Sequence, residues 1–137
     1  MIRAATIEDH KAIFTIAKQS AYTKDFGHMM FSGRAQYGLG WIRVATEDER
    51  IVGFTCVRHK VRSPVTKLYF IGTSPAVQGR GFGVALLRDL QEQTPHPKIV
   101  FNVALDNERA LKFYARFGAV REGSDARYLF FSIPGRR

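Results

Sequence analysis

Apolar residues in this chain change their spacing several times, and each change predicts a change of element. Ile2 to Ala5 predict a short strand. Ile7, His10, Ala12, Ile13, Ile16, Ala17 and Ala21 then recur at helical intervals, which predicts an amphipathic helix over Ile7–Ala21. Thr6 stands at its N-cap position, with Asp9 three residues later as in a capping box. Between Tyr22 and Gly40 the pattern breaks into glycines mixed with Phe26, Met29, Met30, Phe31 and Tyr37, read as a loop with a short helix. Such aromatics either complete the core or border an acceptor site.

From Trp41 the period shortens to two. Trp41–Thr46 and Arg50–His59, joined by the acidic turn Glu47, Asp48, Glu49, predict a hairpin. The connection Lys60–Thr66 leads to a third antiparallel strand, Lys67–Thr73. Val84, Leu86, Leu87 and Leu90 predict a helix over Gly81–Gln93, ended by Pro95 and Pro97. Ile99–Ala104 is a strand and Asn107–Phe117 a helix stopped at Gly118. Ala119–Glu122 and Tyr128–Ile133 close the series as strands. The succession predicts an α+β fold with a mixed, mostly antiparallel sheet of six to seven strands and about four helices.

The chain has 137 residues, which predicts a single domain over 1–137. No apolar run is long enough to span a bilayer, and the N-terminus lacks a signal-peptide core, so a cytoplasmic protein is expected. Cys56 has no partner for an internal disulfide, and three residues along a strand His59 would face the other side, so a buried, inert thiol is expected. His10, His28, His59 and His96 are dispersed without ligand spacing, and no metal is expected. The formal charge of +9 points to an anionic partner without naming it.

The segment Gln78-Gly79-Arg80-Gly81-Phe82-Gly83 follows a strand and opens a helix. Free amides, the helix dipole and glycines that admit close approach make such a turn a phosphate site. A dinucleotide fold would need an earlier βαβ unit and an acid on the next strand, which Ile99–Ala104 lacks. A Walker loop is excluded because no Gly-Lys-Ser or Gly-Lys-Thr follows.

Gln78, Gly81 and Gly83, with Pro75 ahead of them, match the coenzyme motif of the GNAT family of N-acetyltransferases, and Asn107, Ala110, Phe113, Tyr114 and Gly118 match a second motif of that family. The chain resembles this family over nearly its whole length. The resemblance implies acetyl-coenzyme A as co-substrate and direct attack by an amine through a tetrahedral intermediate. It implies that Val77, Gln78, Gly79, Arg80, Gly81, Phe82 and Gly83 bind the pyrophosphate. Ile71 and Thr73 would lie along the pantetheine arm, where Gly72 would mark a bulge that splays the sheet. A backbone N–H near Thr73 would polarise the thioester carbonyl. Asn107 and Phe113 would complete the coenzyme site, and Tyr114 would protonate the leaving thiolate. An N-cap at Asn107 and a core tyrosine at Tyr114 are the structural alternatives.

Family members often carry a catalytic glutamate where this chain has about Tyr69, so the base is unassigned, with His28, Glu47 and His59 as weak candidates. Arg58, Lys60 and Arg62 would form a basic stripe if they continued one strand. The favoured reading is an acetyltransferase acting on a primary amine, as monomer or homodimer and without a membrane. The alternative is a basic nucleic-acid-associated protein of this fold, either modifying a nucleobase substituent or only binding.

Overall fold

The computed structural model describes residues 1–24 and 37–135. The short helix expected between Tyr22 and Gly40, and His28, lie outside the described residues. Seven strands form one sheet in the order β1-β2-β3-β4-β5-β7-β6, and three α-helices stand among the described residues. The chain traces two compact units, Met1–Val57 with Phe70–Asp89, and Arg58–Tyr69 with Leu90–Arg137. It passes between them inside two strands and one helix, at Val57, Tyr69 and Asp89.

The first unit begins with β1 (Ile2–Ala4), a 3-10 turn (Ile7–Asp9) and α1 (His10–Ala17). Asp9 fixes the helix start. Its Oδ2 accepts from the Thr6 amide at 2.9 Å while Arg3 grips both carboxylate oxygens at 2.7 and 3.1 Å. The helix is shorter than the periodicity predicts, because the Thr23 hydroxyl donates to the Ala17 carbonyl at 2.7 Å and occupies one of its orphan C-terminal acceptors.

Strands β2 (Ile42–Glu47) and β3 (Arg50–His59) pair antiparallel, as do β1 and β2. Ile42 and Val44 join Ile13, Ile16 and Ala17 of α1 in one buried cluster, together with Phe54, Cys56 and Phe70. Ala45 turns to a second cluster with Val52, Val77 and Leu86. With apolar partners on both faces, β3 is buried without a break from Val52 to Val57, where a half-exposed strand would alternate.

In the second unit the start of β4 (Val65–Thr73) runs parallel to β5 (Lys98–Ala104) through the pairs Val65–Lys98, Thr66–Ile99 and Lys67–Val100. Strand β7 (Tyr128–Pro134) pairs antiparallel with β5 along its whole length and with β6 (Val120–Ser124) on its other side. Strand β3 ends at His59 and β4 starts at Val65, closed by the Lys60 amide donating to the Val65 carbonyl at 3.0 Å. Lys60 and Arg62 therefore stand on the connection, not on a continued strand, and the expected stripe bends at His59.

Candidate active site

In the first unit, β4 leaves the sheet through Ser74, whose amide donates to the Val52 carbonyl at 2.7 Å and whose hydroxyl accepts from the Ala76 amide at 3.3 Å. Pro75–Val77 form one 3-10 turn, and α2 (Phe82–Gln93) follows. Between them Gly79 and Gly81 have φ of +81° and +88°, and a Cβ on either would meet no atom within 4 Å. Backbone conformation, not crowding, is what requires glycine here. The first helical bond runs from the Ala85 amide to the Gly81 carbonyl at 3.0 Å. The amides of Gly81, Phe82, Gly83 and Val84 are the four orphan donors of the helix start. Gln78 to Gly81 are exposed, so these donors stand in a turn open on the side of the positive-φ glycines. That is the chemistry a pyrophosphate fits.

Arg80 is not a free cation in this turn. Its guanidinium grips both carboxylate oxygens of Glu47 and lies 5.6 Å from the Phe82 ring centroid. The hydrogen bond from Arg80 holds the Glu47 carboxyl below the usual range, with Arg50 adding to the effect, so Glu47 is a poor base. Helix α2 is anchored one turn beyond Leu86. Arg43 of β2 donates through Nε to Asp89 Oδ2 at 2.6 Å and through Nη2 to Oδ1 at 3.1 Å, with both side chains largely buried. Gly72 serves a packing role: a Cβ there would lie 2.9 Å from Phe54 Cε1, in the middle of the first core cluster. Ile71 packs against the second cluster, and Thr73 brings its methyl to 3.3 Å from the Cβ position of Gly53.

Asn107, Phe113 and Tyr114 belong to the second unit. Asn107 caps α3 (Glu108–Phe117), its Oδ1 accepting from the Ala110 amide at 3.3 Å. Tyr114 is 5% exposed, with its ring 4.4 Å from that of Phe101 and 5.2 Å from that of Phe113. Burial pushes its phenol well above the usual tyrosine range, so it stays protonated at neutral pH. No side-chain nitrogen or oxygen among the described residues is both buried and unpartnered, and the Tyr114 hydroxyl has no partner among them. Gly118 closes the helix, its amide donating to the Tyr114 and Ala115 carbonyls at 3.1 and 3.2 Å.

His59 is engaged by structure: its Nδ1 lies 2.7 Å from Thr66 Oγ1, and burial, then the neighbouring His96, lowers its pKa. The Cys56 thiol is fully buried and pushed up to about 12, which makes it inert as a nucleophile. Among the described residues no cluster of His, Cys, Asp or Glu is placed to hold a metal ion, and no helix is long and apolar enough to cross a membrane. Periodicity and motif gave no sign of the Arg80–Glu47 and Arg43–Asp89 pairs, because each joins residues more than thirty positions apart.

Residues 4–119 match the model of the Acetyltransferase (GNAT) family. The chain belongs to this family. A 5-NmdU N-acetyltransferase of Pseudomonas phage PaMx11 is 46% identical over 119 residues, covering 86% of this chain and 85% of the phage enzyme. A GNAT-family acetyltransferase of Bacillus cereus superposes with TM-score 0.83 at 22% identity, covering 100% of this chain and 98% of that one. The PaiA N-acetyltransferase of Thermoplasma acidophilum, solved with coenzyme A, superposes with TM-score 0.79 at 15% identity over 98% of each chain. The protein is thus a GNAT N-acetyltransferase that takes its acetyl group from acetyl-coenzyme A.

Proposed function

We propose that this acetyltransferase modifies a primary amine carried on a nucleobase. The observation that carries this reading is the 46% identity to the phage 5-NmdU N-acetyltransferase over most of both chains. The 137 residues act as one catalytic domain, because the chain changes unit only within continuous elements. Acetyl-coenzyme A supplies an acetyl group already activated as a thioester. The amides from Val77 to Gly83 bind its pyrophosphate, with Gln78 and Phe82 flanking the turn and the Arg80 side chain balanced by Glu47. Backbone groups from Ile71 to Thr73 hold the pantetheine arm. Asn107, whose side-chain oxygen caps α3, and Phe113 are the coenzyme contacts that the second motif contributes in this reading. Tyr114 donates its phenolic proton to the departing sulfur, and the proton that the amine nitrogen sheds as the C–N bond forms passes to solvent, from which the phenol is restored.

Glu47 and His59 are poor bases, Glu47 because Arg80 hydrogen-bonds its carboxylate and His59 because burial, then His96, disfavours proton uptake. In this reading the amine enters unprotonated from solvent, and the rate should rise with pH towards the pKa of the acceptor amine. The test is mass spectrometry of a pyrimidine nucleoside carrying an aminomethyl substituent, incubated with enzyme and labelled acetyl-coenzyme A. One acetyl group should appear on the amine. Acetylation of a small polyamine or a peptide N-terminus in preference to the nucleoside would sink the reading.

A further inference from the structure

The coenzyme cradle does not account for the positive charge of this protein. The unit that contains it holds nine Lys and Arg against seven Asp and Glu, and Arg80 within it is neutralised by Glu47. The second unit holds twelve against five. Its surplus is densest at the β3–β4 hairpin end, where Arg58, Lys60, Arg62 and Lys67 occur with no acid between Val57 and Lys67. Arg58, Lys60 and Arg62 are exposed and have no ion-pair partner among the described residues, whereas Lys98 of the same unit is bound to Glu122.

The hairpin register brings these charges together. The Lys60–Val65 hydrogen bond and the His59–Thr66 side-chain contact set Arg58 opposite Lys67 on one face. Like charges directly across a strand pair repel and destabilise the sheet. Lys60 adds a further like charge near Lys67, whose pKa is lowered by burial first and by Lys60 second. Lys67 and Tyr69 alternate with the buried Thr66 and Leu68, so cation and exposed aromatic share a side of β4, with the Lys67 ammonium 6.0 Å from the Tyr69 ring centroid. At the tip Val61 is 96% exposed, which leaves the connection projecting and unshielded. Four cations gathered on one hairpin end beside a flat aromatic have the makings of a polyanion surface with a stacking platform.

We infer that the hairpin end Arg58, Lys60, Arg62 and Lys67, with Tyr69, docks the phosphate backbone of a DNA strand that carries the acceptor base. The inference rests on the nucleobase reading above and adds that the acceptor is met in a polymer. The three exposed cations contact phosphates, which fixes register without reading sequence.

The experiment compares wild type with the triple variant Arg58→Gln, Lys60→Gln, Arg62→Gln, and with a control of equal charge loss in the first unit, Lys11→Gln, Lys18→Gln, Lys24→Gln. Anisotropy of a labelled, unmodified DNA duplex is followed as KCl is raised. The hairpin triple should lower the slope of log affinity against log salt by about three and weaken binding at least about tenfold, and the control should leave the slope nearly unchanged. Acetyl-coenzyme A affinity, measured by calorimetry, should stay the same in both, which certifies folding. The hairpin triple should slow acetylation of an aminated oligonucleotide and spare the aminated nucleoside. Equal slopes in wild type and hairpin triple, or equal losses in both triples, would overturn the docking surface. So would polyglutamate binding through the same residues in preference to DNA, which would indicate an acidic protein partner. If neither aminated substrate is acetylated yet the duplex slopes behave as expected, the acceptor reading falls and the surface stands.

Discussion

The Gln78–Gly83 turn and the Arg58–Lys67 hairpin end are both electropositive, and they are built on opposite principles. The turn draws its potential from backbone amides and a helix terminus, and its one guanidinium is bound to Glu47. Oriented dipoles of this kind are fixed by the fold and reach only as far as the first turn of the helix. The hairpin end uses side-chain cations on flexible stems, of which Arg58, Lys60 and Arg62 have no ion-pair partner among the described residues. A dipole cradle selects one small anion at one place, whereas mobile full charges attract any extended polyanion from a distance and lose strength with salt. The molecule thus keeps coenzyme recognition and bulk electrostatic attraction in separate segments.

That contrast is broken most severely by placing a charge in the cradle. Gly81→Asp forces a Cβ into φ of +88° and a carboxylate among the amides, so calorimetry should detect no acetyl-coenzyme A binding at millimolar ligand. The strain itself costs only about 1–2 kcal/mol, and the folded state should survive. Tyr114→Phe comes next. It removes the proposed proton donor without touching either electropositive segment, so kcat should fall about 100-fold or more with acetyl-coenzyme A affinity preserved. Because burial raises the Tyr114 pKa, wild-type kcat should show no decline from phenol ionisation up to the ordinary tyrosine pKa of about 10.

Asp89→Ala tests the mounting of α2 and not its ligand. It leaves Arg43 largely buried without a partner, and denaturant unfolding should report a loss of about 3 kcal/mol. The Cys56 thiol, held at about 12 in the fold, ionises more readily once unfolded, so the protein loses stability as pH rises above the ordinary thiol pKa and on towards 12. Cys56→Val should flatten that part of the stability profile. The smallest effect sharpens the comparison itself: Glu47→Gln frees Arg80, which should tighten acetyl-coenzyme A severalfold and make its affinity more salt-dependent. Unchanged salt dependence would mean that the arginine plays no part in the cradle even when released.

Much of the fold was legible because its elements depend on local pattern. Strand β3 was readable to the residue, and Gly118, Pro95 and Asn107 marked helix ends by conformational preferences that need no partner. Helix α1 was overestimated because the residue that ends it, Thr23, acts across six positions through one hydroxyl. Gly72, expected at a bulge, also makes room for Phe54, a contact that periodicity does not encode.

For function, the sequence by itself determined the acetyltransferase family, through the glycine turn and the second motif, and predicted that the turn binds phosphate. A helix N-terminus preceded by glycines is complete as an anion site within one short stretch of chain. Only the tertiary structure decided which charges remain available around that turn. It tied Arg80 to Glu47 and Arg43 to Asp89, engaged His59 with Thr66, and left Arg58, Lys60 and Arg62 without an ion-pair partner among the described residues. The reason is the range of the interactions: a backbone dipole is set by its neighbours in sequence, and an ion pair by whatever the fold brings within about 4 Å.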